Sequence, residues 1–234
     1  MARITRKELK ADKFKLEVEH GLTFFEEHQK EIVRYGGVAV AVAVLLFGIT
    51  LYQRHARGVR EQALGRAMQI QETGVGPVTP GTASNNFPTQ QVKDDIAIKA
   101  FTEVKNKFSG SAEAEIAEYY LGSIRADQGN WAEAEKSFQE VAQKGNPRYA
   151  PLAKLSLGQV YFAEGKVDQG EKTLRDLIAH PTIFVSKEEA TIALARALLP
   201  TKPAEARKLL DPLRQVPGSV SQIALSLYGE LPQQ

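Results

Sequence analysis

Between positions 119 and 138 the chain reads Tyr119-Tyr-Leu-Gly-Ser-Ile-Arg-Ala-Asp-Gln-Gly-Asn-Trp131-Ala-Glu-Ala-Glu-Lys-Ser-Phe138. Apolar residues three and four apart mark a helix, Gly129-Asn130 interrupts it, and a second helical pattern follows. The pattern is not unique in the chain. Leu121, Gly122, Gly129, Ala134, Phe138 and Val141 return 36 residues later as Leu157, Gly158, Gly165, Gly170, Leu174 and Leu177. A weaker third copy falls another 36 residues on, at Ala193, Leu194, Thr201, Ala206, Leu210 and Leu213. Self-similarity at a fixed period predicts stacked units, each a helix, a tight turn and a second helix. The small residues face each other at Gly122/Ala134 and Gly158/Gly170, where they let paired helices approach. Asn130-x-x-Glu133, Ser186-x-x-Glu189 and Ser219-x-x-Gln222 are spaced as helix-opening caps. No stretch from residue 92 onward reads as a convincing strand.

These residues resemble the tetratricopeptide repeat, a 34-residue unit with Leu-Gly in its first helix and Ala, then a large apolar residue, in its second. Residues 119–138 are the best copy, and Leu157-Gly-Gln-Val-Tyr161-Phe-Ala-Glu-Gly165 is close. The departures are Arg125 in place of an aromatic, a period longer by two, and a third unit without Leu-Gly. Two repeats and a degenerate third are therefore expected, with residues 96–108 as the second helix of an earlier, incomplete unit and residues 219–231 as a capping helix. The resemblance implies a concave groove lined by the first helices. Its groove positions fall on Tyr119, Ser123 and Asp127 in one unit and on Gln159 and Phe162 in the next. A helix or an extended peptide would lie there, aromatics giving area and polar groups fixing register. The other reading packs Tyr119 and Phe162 against adjacent helices, the segment 73–91 or the terminal helix.

Charge divides the rest of the chain. Residues 1–34 carry eight basic and seven acidic side chains, residues 35–53 none, residues 54–91 four and two, and residues 92–234 eighteen and nineteen. The uncharged window, Tyr35-Gly-Gly-Val-Ala-Val-Ala-Val-Ala-Val-Leu-Leu-Phe-Gly-Ile-Thr-Leu-Tyr52, spans about 27 Å as a helix, enough for a bilayer core. Tyr35 and Tyr52 stand at the two interfaces, Val38, Val42, Leu45 and Phe47 lie between them, and Arg34, Arg54 and Arg57 flank the window. A buried strand would find no ladder partner elsewhere. A signal peptide is disfavoured by the long, charge-balanced region before the window and by the poor cleavage site at Gln53-Arg54-His55-Ala56-Arg57. Basic residues near the two ends do not decide orientation. The eight basic residues of the whole tail place the N-terminus in the cytoplasm.

Within the tail, Thr5-Arg-Lys-Glu8 is a capping-box pattern, and Ala11, Phe14, Val18, Leu22 and Phe25 form one apolar stripe. Such a helix lies on the membrane surface, docks on a partner through Phe14, Val18, Leu22 and Phe25, or packs against a neighbour. His20 and His28 read as solvated helix residues. After the window, a helical pattern with Ala63, Ala67 and Ile70 on one side leads into a Pro/Gly/Ser/Thr/Asn-rich loop at residues 73–91. The expected organisation is all-α: a cytoplasmic amphipathic tail (1–34), a single transmembrane helix (35–53), a helical extension and flexible loop (54–91), and a tetratricopeptide-like α-solenoid of antiparallel helix pairs (92–234).

Composition excludes much chemistry. The chain of 234 residues has a formal net charge of +2, 43% hydrophobic residues, four His and no Cys. It can build a core, it lacks the clustered basic surface of a nucleic-acid binder, and it has no thiol for a disulfide, a nucleophile or a metal. Gly165-Lys166 fails as a phosphate loop, with Val160 and Val167 at the required Gly and hydroxyl positions. Adjacent pairs Asp94-Asp95 and Glu188-Glu189 diverge on their helices, and helix-dipole stabilisation accounts for them. No enzyme, cofactor or metal centre is expected.

The layout is a tail ending Phe24-Phe-Glu-Glu-His-Gln-Lys30, one span, a basic Arg54-His-x-Arg57 flank, then degenerate repeats. It resembles the bacterial membrane-anchored tetratricopeptide family that includes the ancillary subunit of the SecYEG translocon. That resemblance implies an inner-membrane anchor, a periplasmic repeat domain, and contact with the translocon, periplasmic chaperones and emerging secreted chains. The rival reading is a structural scaffold of a cell-envelope or cell-division complex, binding one fixed partner. The window generates a direct prediction. The full chain stays with membranes through an alkaline carbonate wash, and Val42→Arg, at about 2.5–3.5 kcal/mol for a mid-bilayer charge, lowers the inserted fraction in a glycosylation-mapping assay.

Overall fold

The computed structural model describes residues 29–76, 86–144 and 146–231. Among them, apart from an isolated bridge, all regular structure is helical. The chain divides into two units, Met1–Gly58 and Val59–Gln234. The expected tail helix and its face at Phe14, Val18, Leu22 and Phe25 lie outside the described residues.

Helix α1 runs Gln29–Glu72 without a break. In the first unit its residues 33–55 are all exposed, including Tyr35, Val38, Val42, Leu45, Phe47 and Tyr52. Mean hydropathy there reaches 2.0, and the helix is long and apolar enough to cross a membrane. An exposed apolar run of this length has no protein core of its own to satisfy it.

The second unit begins with the same helix. Leu64 and Ala67 of α1 are buried against Ala97, Phe101 and Val104 of α2 (Gln90–Lys107). The last turns of α1 therefore serve as the first helix of the incomplete unit, with α2 as its second. Between them the expected loop is paired at its base, where Val75 and Phe87 form an isolated parallel bridge. Gly76 donates to the Phe87 carbonyl and Phe87 to that of Gly74, each at 3.0 Å. The middle of that loop, residues 77–85, is outside the described residues.

The repeats follow as hairpins. Helices α3 (Ala112–Asp127) and α4 (Trp131–Lys144) form one, α5 (Tyr149–Ala163) and α6 (Val167–Ala179) the next, and α7 (Lys187–Leu198) and α8 (Pro203–Leu210) the third. In the third hairpin the second helix is short and passes into a 3-10 turn at Asp211–Gln215, and α9 (Ser219–Gly229) closes the stack. Each helix packs on the next in sequence, and α3 also meets α5 as α5 meets α7. Three apolar layers result. They centre on Phe101 and Leu121, on Phe138 and Leu157, and on Leu174, Leu194 and Leu210.

Turn chemistry repeats with the sequence. Gly129 and Gly165 end α3 and α5 at φ of 76°, a left-handed conformation that Cβ disfavours. Asn130 then donates to the Arg125 carbonyl and Lys166 to that of Tyr161, both at 2.8 Å. The caps agree in part with their sequence signatures. Ser186 accepts from the Glu189 amide at 3.0 Å, as its spacing predicts. Asn130 instead turns its amide to Gln128, and Gly218, not Ser219, is the N-cap of α9.

Close approach sets the hairpin geometry. A Cβ on Gly158 would meet Leu174 at 2.6 Å, and one on Gly170 would meet the Phe162 ring at 2.5 Å and the Gly158 carbonyl oxygen at 3.1 Å. A Cβ on Gly122 would meet the Phe138 ring at 2.9 Å and Ser137 at 3.1 Å, so its neighbours lie one turn beyond Ala134. Arg125, in place of the aromatic, reaches across the first hairpin to donate to buried Ser137 at 2.8 Å. At the equivalent place in the second hairpin, Tyr161 accepts from Gln139 at 3.0 Å.

A ladder of ion pairs repeats on the second helices. Lys166 bonds Glu135 at 2.5 Å, and 36 residues on Lys202 bonds Glu171. Hydrogen bonds from these lysines hold both carboxyls below the usual carboxylate range, against burial, which acts the other way. This contribution is present above the carboxylates' unfolded pKa and is lost as pH falls through their folded values. Gly158→Leu forces α5 from α6 at a cost of about 1–3 kcal/mol. Its melting temperature, followed by circular dichroism of the full chain in detergent, therefore falls by several degrees.

Candidate functional site: the groove between α3 and α5

As first helices of adjacent hairpins, α3 and α5 run side by side with α4 behind them. Ser123, Ala126 and Asp127 of α3 face Ser156, Gln159, Val160 and Ala163 of α5 across a concavity of about 320 Å³. Phe138 and Trp131 of α4 complete its wall. Three of the five sequence-selected groove residues, Ser123, Asp127 and Gln159, thus meet at one place. The helical repeat explains it, because positions 123 and 159 are 36 residues apart and occupy the same place in successive first helices.

Tyr119 and Phe162 do not line this concavity. The Tyr119 ring sits among Tyr120, Phe138 and Tyr149, with centroids 5.7, 5.7 and 5.3 Å away. Tyr120 in turn stacks on Phe101 at 5.1 Å, so the aromatic cluster ties α2, α3, α4 and α5 together. Burial, reinforced by Tyr149, pushes the Tyr120 hydroxyl up to about 12. Phe162 packs on Gly170 and on the C-terminal core layer. Both rings are half-buried, and both occupy packing positions.

Trp131 is the site residue that the sequence reading did not single out. It is the first residue of α4 and remains 37% exposed. Its ring stands between the concavity and a second depression lined by Gly129, Glu133, Glu164 and Lys166. The available signal was its place directly after a left-handed turn, off the apolar stripe of Ala134, Phe138 and Val141. An indole there offers area and a single N–H donor at little entropy cost.

The polar groups suit hydrogen bonding rather than bond cleavage. Ser123 donates to the Tyr119 carbonyl at 3.2 Å and keeps its acceptor capacity. Gln159 is exposed and lines the groove, and Asp127 stands at the end of α3. Burial, then the nearby charge of Asp94, holds the Asp127 carboxyl above its ordinary value. Among the described residues Asp127 is the only ionisable side chain lining the concavity, and Ala126, Val160 and Ala163 add apolar lining beside Phe138 and Trp131. Among the described residues no group of three or more His, Asp or Glu is placed to hold a metal.

Stacked helical hairpins around a small polar-rimmed groove define an α-solenoid interaction module, a class that acts through binding. The chain belongs to the tetratricopeptide repeat-like domain family, whose model matches residues 23–197 and so takes in the apolar helix with the repeats. That fold is typically a non-enzymatic interaction module. No curated protein and no solved structure matches the chain. Packing and binding separate by substitution. Tyr119→Ala lowers stability by about 3 kcal/mol, the low end for a buried aromatic because the ring is half-buried, whereas Trp131→Ala leaves thermal unfolding almost unchanged.

Proposed function

We propose that this chain is a membrane-anchored adaptor of the bacterial inner membrane, with a cytoplasmic N-terminus and a periplasmic repeat domain. The α3–α5 groove receives short segments of secretion or chaperone partners near the translocon. The supporting observation is the pairing, in one chain, of an exposed apolar helix with a concavity flanked by half-exposed Trp131. Trp131 supplies the apolar anchor, while Ser123, Gln159 and Asp127 fix register by hydrogen bonds to the bound backbone. The absence of Cys suits an oxidising compartment, where a free thiol is a hazard. The anchor raises the local concentration of partners at the same membrane, so modest affinity suffices.

The test uses a photo-crosslinking amino acid at Trp131 or Gln159 in intact membranes. Crosslinks to translocon subunits, periplasmic chaperones or emerging secreted chains are expected. A single stoichiometric envelope or cell-division subunit would replace the adaptor with the scaffold reading. A reporter active only outside the cytoplasm is expected to be active after Gln234 and silent at the N-terminus, and the reverse pattern removes the translocon assignment.

A further inference from the structure

A larger cleft lies on the other side of the repeats, between the second helices α4 and α6. It measures about 760 Å³, and α5 forms its floor. Leu157 and Tyr161 supply the buried apolar base, with Ala142 of α4 beside them. The walls carry Gln143 from α4 and Gln169, Lys172 and Thr173 from α6. The latter three are spaced i, i+3 and i+4 and so share one face of their helix. Among the described residues, none of these four wall side chains has a hydrogen-bond or ionic partner. Two amides on opposing walls match the alternating C=O and N–H groups of an extended backbone, since each carries two donors and an acceptor.

The charges select the occupant. Among the described residues Asp176 is the only carboxylate lining the cleft, and it is engaged by Lys154 at 3.4 Å and by His180 at 3.1 Å. Arg175 is held by Glu171 and Glu205. Among the described residues Lys172 has no carboxylate within ion-pair distance. Lys154 and Asp176 are 43% and 49% exposed, and such a pair exchanges readily for a better-placed carboxylate. The α3–α5 groove has the opposite sign, with Asp127 alone. We propose that the α4–α6 cleft is a second binding site, for extended peptide segments that carry acidic side chains. Leu157 and Tyr161 take an apolar side chain of the segment, Gln143 and Gln169 bond its backbone, and Lys172 with Lys154 pairs its carboxylates. The site uses a different surface and does not rest on the groove assignment.

The experiment uses the full chain in phosphatidylcholine nanodiscs and two end-blocked octapeptides bearing a neutral dye, one alternating Glu with Leu or Thr, the other Lys in place of Glu. Fluorescence anisotropy, corrected for empty nanodiscs, reads the affinities. The Glu peptide is expected to bind at least tenfold more tightly than the Lys peptide, and added salt narrows the difference. Lys172→Glu and Lys172→Ala weaken it about tenfold or more and several-fold respectively, with unchanged circular dichroism, while Trp131→Ala has no effect. Equal affinity of the Trp131→Ala chain, whose α3–α5 groove lacks its anchor, for the two peptides overturns the proposal. So does sensitivity to Trp131→Ala with indifference to Lys172→Glu, which places the peptide in the α3–α5 groove. Displacement of the peptide by a single-stranded thymidine dodecamer at equal concentration overturns its peptide character.

Discussion

The backbones of α5 and α6 meet where neither helix carries a side chain, and the stack depends on that approach. A Cβ on Gly170 would stand 3.1 Å from the Gly158 carbonyl oxygen, and one on Gly158 would press into Leu174. With the helices this close, Leu174 and Phe162 fill the space that the missing side chains leave. The same approach lets the next first helix, α7, settle on α6 with Leu194 and Leu198 fully buried. Glycine costs about 1 kcal/mol in a helix interior relative to alanine. Packing of the neighbouring layer offsets that cost.

Polar interactions then fix how successive units sit within the repeat domain. Lys105 of α2 bonds Glu118 of α3, which is almost fully buried, and reaches Glu140 of α4 at 3.4 Å. Burial alone would lower the Lys105 pKa, but the two carboxylates outweigh it and raise it. An isolated Glu118 would be expensive at that depth, so the pair specifies alignment more than it adds stability. The Lys166–Glu135 and Lys202–Glu171 bonds repeat the device on the second helices at the period of the sequence. These exposed pairs are screened by salt and contribute mainly register.

Two surfaces of different character follow from one packing scheme. First helices present Ser123, Asp127 and Gln159 on one side, while second helices present Gln143, Gln169 and Lys172 on the other. A solenoid exposes both sides of every hairpin, so each repeat contributes to two surfaces at once. Trp131 stands where a turn hands the chain from one helix to the next, and its ring stays half in solvent because the left-handed glycine before it redirects the backbone.

By itself the sequence determined the repeat. The 36-residue return of Leu-Gly, turn glycine, small residue and apolar pair marked the hairpins, because close packing and left-handed turns admit few residue types. The uncharged window marked the apolar helix by the same logic of restricted composition. Tertiary structure alone decided the rest. It recruited Leu64 and Ala67 of α1 as a first helix for α2, since nothing local distinguishes an isolated helix from one half of a hairpin. It sent Tyr119 and Phe162 to packing positions, because half-exposed aromatics serve core and groove with the same periodicity. It also made Trp131 a groove wall and, among the described residues, left Lys172 outside ion-pair distance of any carboxylate, outcomes that depend on which helices become neighbours and not on any pattern along the chain.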